Sequence, residues 1–249
     1  MDSRRAVFIA EQNTLVISDL FFGHGAARRR KESLQSAQYH HIWERLIGLL
    51  RDYEPRAVAL LGDIKPGQGT LEDEEADEFR ALIDKLGRGG RAVIQVVSHP
   101  ERLAGPAMQA LRLTPFENYR VEPYTLMHRR RTFLYPRHEG YGGFWINGGV
   151  HPLIAVPTPG PQNEEGWLRY PAFLYTGFAL VMPPFVPYAQ GWEVMQVERL
   201  PKQARAWGVL GDRINELSLQ TLPPPPEALR QIVRPTAKTR HKSPRWAEN

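Results

Sequence analysis

The chain has 249 residues, 42% of them hydrophobic and 24% charged, with a formal net charge of +5 and no cysteine. That length can bury one sizeable core, and the missing thiols exclude a disulfide framework, zinc–thiolate sites and a cysteine nucleophile. No apolar run reaches membrane-spanning length, and the start Met1-Asp2-Ser3-Arg4-Arg5 lacks the apolar core of a signal peptide. A soluble, cytoplasmic protein with no membrane partner is therefore expected.

In chain order, residues 6–10 read as a first strand, a turn falls at Gln12-Asn13, and 14–19 is a second strand ending in Asp19. Ile42, Leu46, Leu49 and Leu50 recur at helical spacing over 33–53, and Pro55 closes that helix. Residues 57–61 form the next strand, again followed by an aspartate, Asp63. A Gly/Pro loop over 64–70 leads to an amphipathic helix at 71–86 with Leu71, Phe79, Leu82, Ile83 and Leu86 inward, stopped by Gly87-Arg88-Gly89-Gly90. Residues 92–97 are a third apolar strand. The order β-α-β-α-β predicts a mainly parallel sheet.

After Pro106 the pattern turns β-rich. Residues 119–127 and 132–135 read as antiparallel strands joined at Arg129-Arg130-Arg131, with further short strands at 142–146, 153–156 and 173–182. Residues 157–166 read as a Pro/Gly/Glu loop, and the next long helix is expected at about 202–217. A second sheet packed on the first is the economical architecture. Pro223-Pro224-Pro225-Pro226 is a stiff spacer. It separates a domain at 1–222 from a proline-rich, basic tail at 223–249, expected to be flexible.

Charge is unevenly placed. From 227 to 249, six Lys or Arg stand against two Glu, and Arg28-Arg29-Arg30-Lys31 and Arg129-Arg130-Arg131 form two more basic clusters. Such patches on a near-balanced body point to nucleic acid or another phosphate-bearing polyanion; solvated surface charge is the competing explanation for any one of them.

Five polar residues share one placement, just beyond an apolar stretch: Asp19, Asp63, His99, His138 and His151. In open α/β sheets ligands bind at the carboxyl ends of strands. Two carboxylates and three imidazoles there suit a divalent metal or a phosphoryl-transfer rim. An isolated histidine is more often structural, and an aspartate after a strand is also an ordinary turn residue; the common placement of five gives the pattern its weight.

The motifs Asp19-Leu20-Phe21-Phe22-Gly23-His24, Gly62-Asp63, Ser98-His99-Pro100, Arg137-His138-Glu139, Gly148-Gly149-Val150-His151-Pro152 and Pro183-Pro184-Phe185 stand in this order. In that order they resemble the calcineurin-like metallophosphoesterases, and most of all the small bacterial and archaeal branch that includes ligase-associated DNA-repair phosphoesterases. The resemblance covers roughly residues 5–197. It implies an α/β fold, a metallophosphoesterase-type sandwich of two mixed β-sheets flanked by helices. It also implies a metal site at Asp19, Asp63 and His151, a second at Asp63 and His138, and His99 assisting the leaving group. His128 is the other claimant for the position given to His138.

This chain departs from the pattern at four points: Phe21 replaces a ligand histidine, Ser98 an asparagine, Pro100 the acid that orients His99, and Gly149 a further histidine. With three donors gone, the resemblance implies one weakly held divalent ion (manganese, iron, zinc or magnesium) or none. Two readings follow. One is a degraded-site protein, associated with nucleic acid or DNA repair or docking a protein partner, with little or no hydrolase activity. The other is an active metal-dependent phosphoesterase using a single retained site.

Overall fold

A computed structural model of the chain describes residues 1–20, 32–62, 73–96, 114–128, 143–159, 165–186, 191–194 and 200–222. The first half builds a five-stranded sheet from β1 (Ala6–Ile9), β2 (Thr14–Ser18), β3 (Ala57–Leu61), β4 (Ala92–Val96) and β5 (Pro115–Phe116), in that spatial order. β1 and β2 form an antiparallel hairpin; β2, β3, β4 and β5 run parallel. The crossovers carry α1 (Glu32–Tyr53) and α2 (Asp73–Leu86). α1 ends where Glu54 takes a φ of 43°, donates its N–H to the Leu50 carbonyl and meets Pro55, which cannot extend a helix.

The second half builds a nine-stranded mixed sheet from β6 (Asn118–Val121), β7 (Tyr124–His128), β8 (Phe144–Gly148), β9 (Pro152–Pro159), β10 (Glu165–Tyr175), β11 (Ala179–Val181), β12 (Trp192–Glu193), β13 (Arg205–Leu210) and β14 (Arg213–Leu217). Here β7, β8 and β11 are mutually parallel neighbours, β12 is parallel to β9, and the remaining pairs are antiparallel.

Alternating side chains sort the core into layers. Leu15, Ile17, Val58 and Leu60 face the helices, packing with Leu46, Leu49, Phe79, Leu82 and Leu86. Val16, Ala59, Leu61, Ile94 and Val96 face the other sheet and meet Leu126, Ile146, Phe173 and Met182. On the far side of the second sheet, Ile154, Ala172, Leu174 and Val181 pack with Leu217, Leu219 and Leu222. No helix among the described residues is long and apolar enough to cross a membrane.

Several expectations need correction. The helix at 202–217 is instead the β13–β14 hairpin. Gly211 takes a φ of 64° at its tip, and Trp207, Val209 and Ile214 are residues that fit a pleated surface better than a helix. The strand at 119–127 is two strands, β6 and β7, which turn at Glu122-Pro123 and pair with each other. The strand at 173–182 is likewise broken, between β10 and β11, at Gly177 with a φ of 96°. The loop at 157–166 shortens because β9 and β10 pair out to Pro159 and Glu165. The strand at 132–135 and the tail at 223–249 lie outside the described residues.

A polar knot fastens the N-terminus to the end of α1. The Asp2 carboxylate accepts the Arg4 N–H at 2.7 Å, Arg4 Nη2 at 2.8 Å and the Tyr53 hydroxyl at 2.7 Å. Arg4 Nη1 reaches on to Asp52 at 2.6 Å. Burial alone would raise the Asp2 pKa; the hydrogen bonds from Arg4 and Tyr53 outweigh it and hold the group down at about 2. A carboxylate depressed on folding stabilises the native state above its unfolded pKa and loses that contribution as pH falls through the folded value. Thermal unfolding followed from pH 5 to pH 2 should therefore show stability falling below about pH 4. In Asp2→Asn that segment of the pH dependence should flatten, with stability at pH 7 lower by roughly 1–2 kcal/mol.

Candidate functional site

Strand alternation places the site. On β2, Val16 faces the inter-sheet core, so Ser18 does too; the same rule puts Leu61 of β3, His128 of β7 and Gly148 of β8 on inward faces. Ser18 pairs in register with Leu61, and His128 with Gly148. These four residues cap the inter-sheet core at the ends of parallel strands. Asp19 is the next residue along. Its φ of 51° swings the chain out of β2, while its N–H continues the ladder to the Leu61 carbonyl at 2.7 Å.

The Asp19 side chain is buried among donors. His128 Nε2 lies 2.8 Å from Oδ1. Because an ionised carboxylate can only accept, that nitrogen carries the proton. Oδ2 accepts the Gly149 N–H at 2.9 Å and the Ser18 hydroxyl, and His151 Nε2 stands 3.2 Å from it. Burial pushes the Asp19 pKa up, but the charge and hydrogen bonds of His128 and then of His151 prevail and hold it well below the ordinary carboxylate value. His151 is presented at a φ of 54°.

Two glycines make room for this contact. Gly62 has a φ of 107°, and a Cβ there would stand 2.6 Å from Asp19 Oδ1 and 2.8 Å from His128 Nε2. Gly149 has a φ of 82°, and its Cβ would stand 2.7 Å from the same nitrogen. Both positions combine a backbone that L-residues avoid with space already taken by the imidazole.

A third element braces the site from behind. The chain after β11 passes Ser18, whose carbonyl accepts the Phe185 N–H at 2.7 Å. Arg45 of α1 lies over the Phe185 ring, 4.4 Å from its centroid, and donates to the Phe185 carbonyl at 2.8 Å and to the Arg4 carbonyl at 2.6 Å. Arg5 donates to the Val186 carbonyl at 2.9 Å.

Of the residues singled out by sequence, Asp19 and His151 come together here. Asp63, His99 and His138 lie outside the described residues, as do Phe21, His24, Ser98 and Pro100; Gly62, the residue before Asp63, is at the rim. His128, the alternative to His138 in the sequence, makes the shortest ring contact to Asp19 among the described residues. The sequence carries only part of its signal, the apolar run Tyr124-Thr125-Leu126-Met127 that His128 ends; the parallel strand ending beside it at Gly148 is seen only in the fold.

The donor types suit a metal, and the described ones are turned toward one another. A carboxylate can only accept, and Asp19 accepts from His128, Ser18 and Gly149, while His151 Nε2 stands 3.2 Å from Oδ2. Both Nε2 atoms face Asp19 itself. Among the described residues no group of three or more His, Cys, Asp or Glu is arranged to hold an ion.

By sequence, no protein family and no curated protein matches the chain. By structure, it is similar to Pseudomonas putida nuclease MPE, known from its crystal structure. The two share 18% identity and a TM-score of 0.63, over 87% of this chain and 94% of that one. The fold, an α/β sandwich of two mixed β-sheets, is the one that this nuclease shares. At this identity the likeness is one of architecture.

The glycine geometry gives a direct expectation. Gly62→Ala should destabilise the protein by roughly 2–4 kcal/mol, from the strained φ and from displacement of the Asp19–His128 contact. Urea titration of the variant measures it, and a loss under 1 kcal/mol would contradict the packing described.

Proposed function

We propose that this is a phosphoesterase-fold protein that binds nucleic acid or a similar phosphate-bearing polyanion, in a setting such as DNA repair and with room for a protein partner, and that hydrolyses it little or not at all. One observation supports this above the rest: the carboxylate at the first ligand position, Asp19, already accepts hydrogen bonds from His128, Ser18 and Gly149. Phe21, Ser98 and Gly149 stand where the resemblance expects donors. The structural neighbour's description as a nuclease favours nucleic acid as the polymer, and the basic clusters favour a polyanion.

The second reading is an active phosphoesterase with one divalent ion at Asp19, Asp63 and His151, an incomplete second set at Asp63 and His138, and His99 as general acid. The 3.2 Å approach of His151 to Asp19 favours it. Elemental analysis of protein purified without chelator separates the two, with isothermal titration of manganese beside it. Less than one equivalent of metal, bound weakly, is expected. So is hydrolysis of bis(p-nitrophenyl) phosphate no faster than that of Asp63→Asn. Manganese-dependent turnover lost in Asp63→Asn would establish the second reading, and two tightly held ions would overturn the first.

Binding should be electrostatic. Six Lys or Arg between 227 and 249 have no evident way to read base edges, so they should contact phosphates regardless of sequence. For about four phosphate contacts, DNA affinity should fall on the order of 100-fold between 50 and 200 mM salt. Fluorescence anisotropy of the full chain and of a chain lacking 227–249 tests this. Equal, salt-insensitive binding by both would sink the tail's role.

A further inference from the structure

We infer that His128, Asp19 and His151 form a latch between the two sheets, built of protein groups alone, and that His128 and Gly149 act within it as one unit. Asp19 belongs to the five-stranded sheet, at the end of β2. His128 ends β7, and Gly149 and His151 follow β8, all in the nine-stranded sheet. Apart from the contact with its neighbour Ser18, every side-chain contact named for Asp19 therefore crosses from one sheet to the other. The latch is buried, with side-chain exposures of 2% for Asp19, 6% for His128 and 11% for His151. An ionised carboxylate so placed is tolerable only while paired and hydrogen-bonded.

The partner inside this unit is an absence of side chain. The resemblance expects a histidine at position 149. Here the space a side chain at 149 would enter is held by the His128 ring, 2.7 Å from a Cβ built there, with Nε2 on Asp19. A side chain at 149 and His128 against Asp19 exclude each other. Among the described residues the donors therefore do not surround an open ligand position; they have closed on one another. This holds whether or not the protein binds nucleic acid.

Thermal unfolding of the full chain at neutral pH tests the latch, with EDTA in one arm and millimolar manganese in the other. Wild-type Tm should agree between the arms to within about 1 °C. Asp19→Asn and His128→Gln should each lower Tm by roughly 10 °C, as loss of one partner of a buried pair does in a chain of this size. The double variant should lose clearly less than the sum. If Asp19→Asn does not fold, His151→Gln, which removes the longest contact, takes its place. Gly149→Ala should cost less in a His128→Gly background than in wild type, because the imidazole it would strike is gone. A manganese-dependent rise in wild-type Tm of several degrees would overturn the inference. So would strict additivity of the Asp19 and His128 substitutions, or an equal cost of Gly149→Ala in both backgrounds.

Discussion

A buried carboxylate at the top of an apolar core constrains everything around it. Asp19 sits where Leu61, Leu126 and Ile146 have already excluded water, so its charge has to be met by protein groups from both sheets. That requirement explains features which look unrelated along the chain. Gly62 and Gly149 lack side chains because the His128 ring needs the space. Asp19 and His151 adopt positive φ, which L-residues enter only at a cost, because strand geometry would point them elsewhere. The depressed pKa of Asp19 is the thermodynamic trace of the same fact: two imidazoles outweigh the penalty of burial.

The site stands at this rim because two sets of parallel strands end there. β2 and β3 bring Ser18 and Leu61 to one level, and β7 and β8 bring His128 and Gly148 to meet them. The brace behind β2 follows a different rule. Phe185 and Val186 follow β11 outside any strand, so their carbonyls need partners from elsewhere. Arg5 and Arg45 supply them. Burial lowers both guanidinium pKa values to about 10, yet both remain charged at neutral pH. They serve as rigid donors to backbone and join α1, the N-terminal turn and the Phe185 segment behind the site.

Much of this architecture was legible in the sequence, for a physical reason. Strands such as Thr14–Ser18 and Ala57–Leu61 are buried on both faces, so they read as short apolar runs between turn residues. The helix over Glu32–Tyr53 shows its inward stripe and its proline stop. The β13–β14 hairpin was misread because Val209-Leu210 and Ile214 also suit a helical spacing, and only the Gly211-Asp212 turn distinguishes the two. The weight of His128 was hidden for another reason. Its role depends on Gly149 having no side chain and on two strands from different parts of the chain ending level, and neither is a property of the segment around position 128.

Fold and chemistry are specified by different residues, which is how a sandwich can agree with a nuclease over most of both chains at 18% identity. The sheets are fixed by alternation at dozens of positions, where any apolar residue of suitable size preserves the packing. The chemistry of the rim rests on a handful of side chains whose meaning depends on what each faces. Imidazole and carboxylate groups that point at a common empty point can share an ion. Turned on each other, as His128 is on Asp19 at 2.8 Å with His151 Nε2 3.2 Å away, the same groups offset part of their own desolvation. The direction in which His128 and His151 present their Nε2 atoms, more than their presence in the sequence, sets what this centre can do.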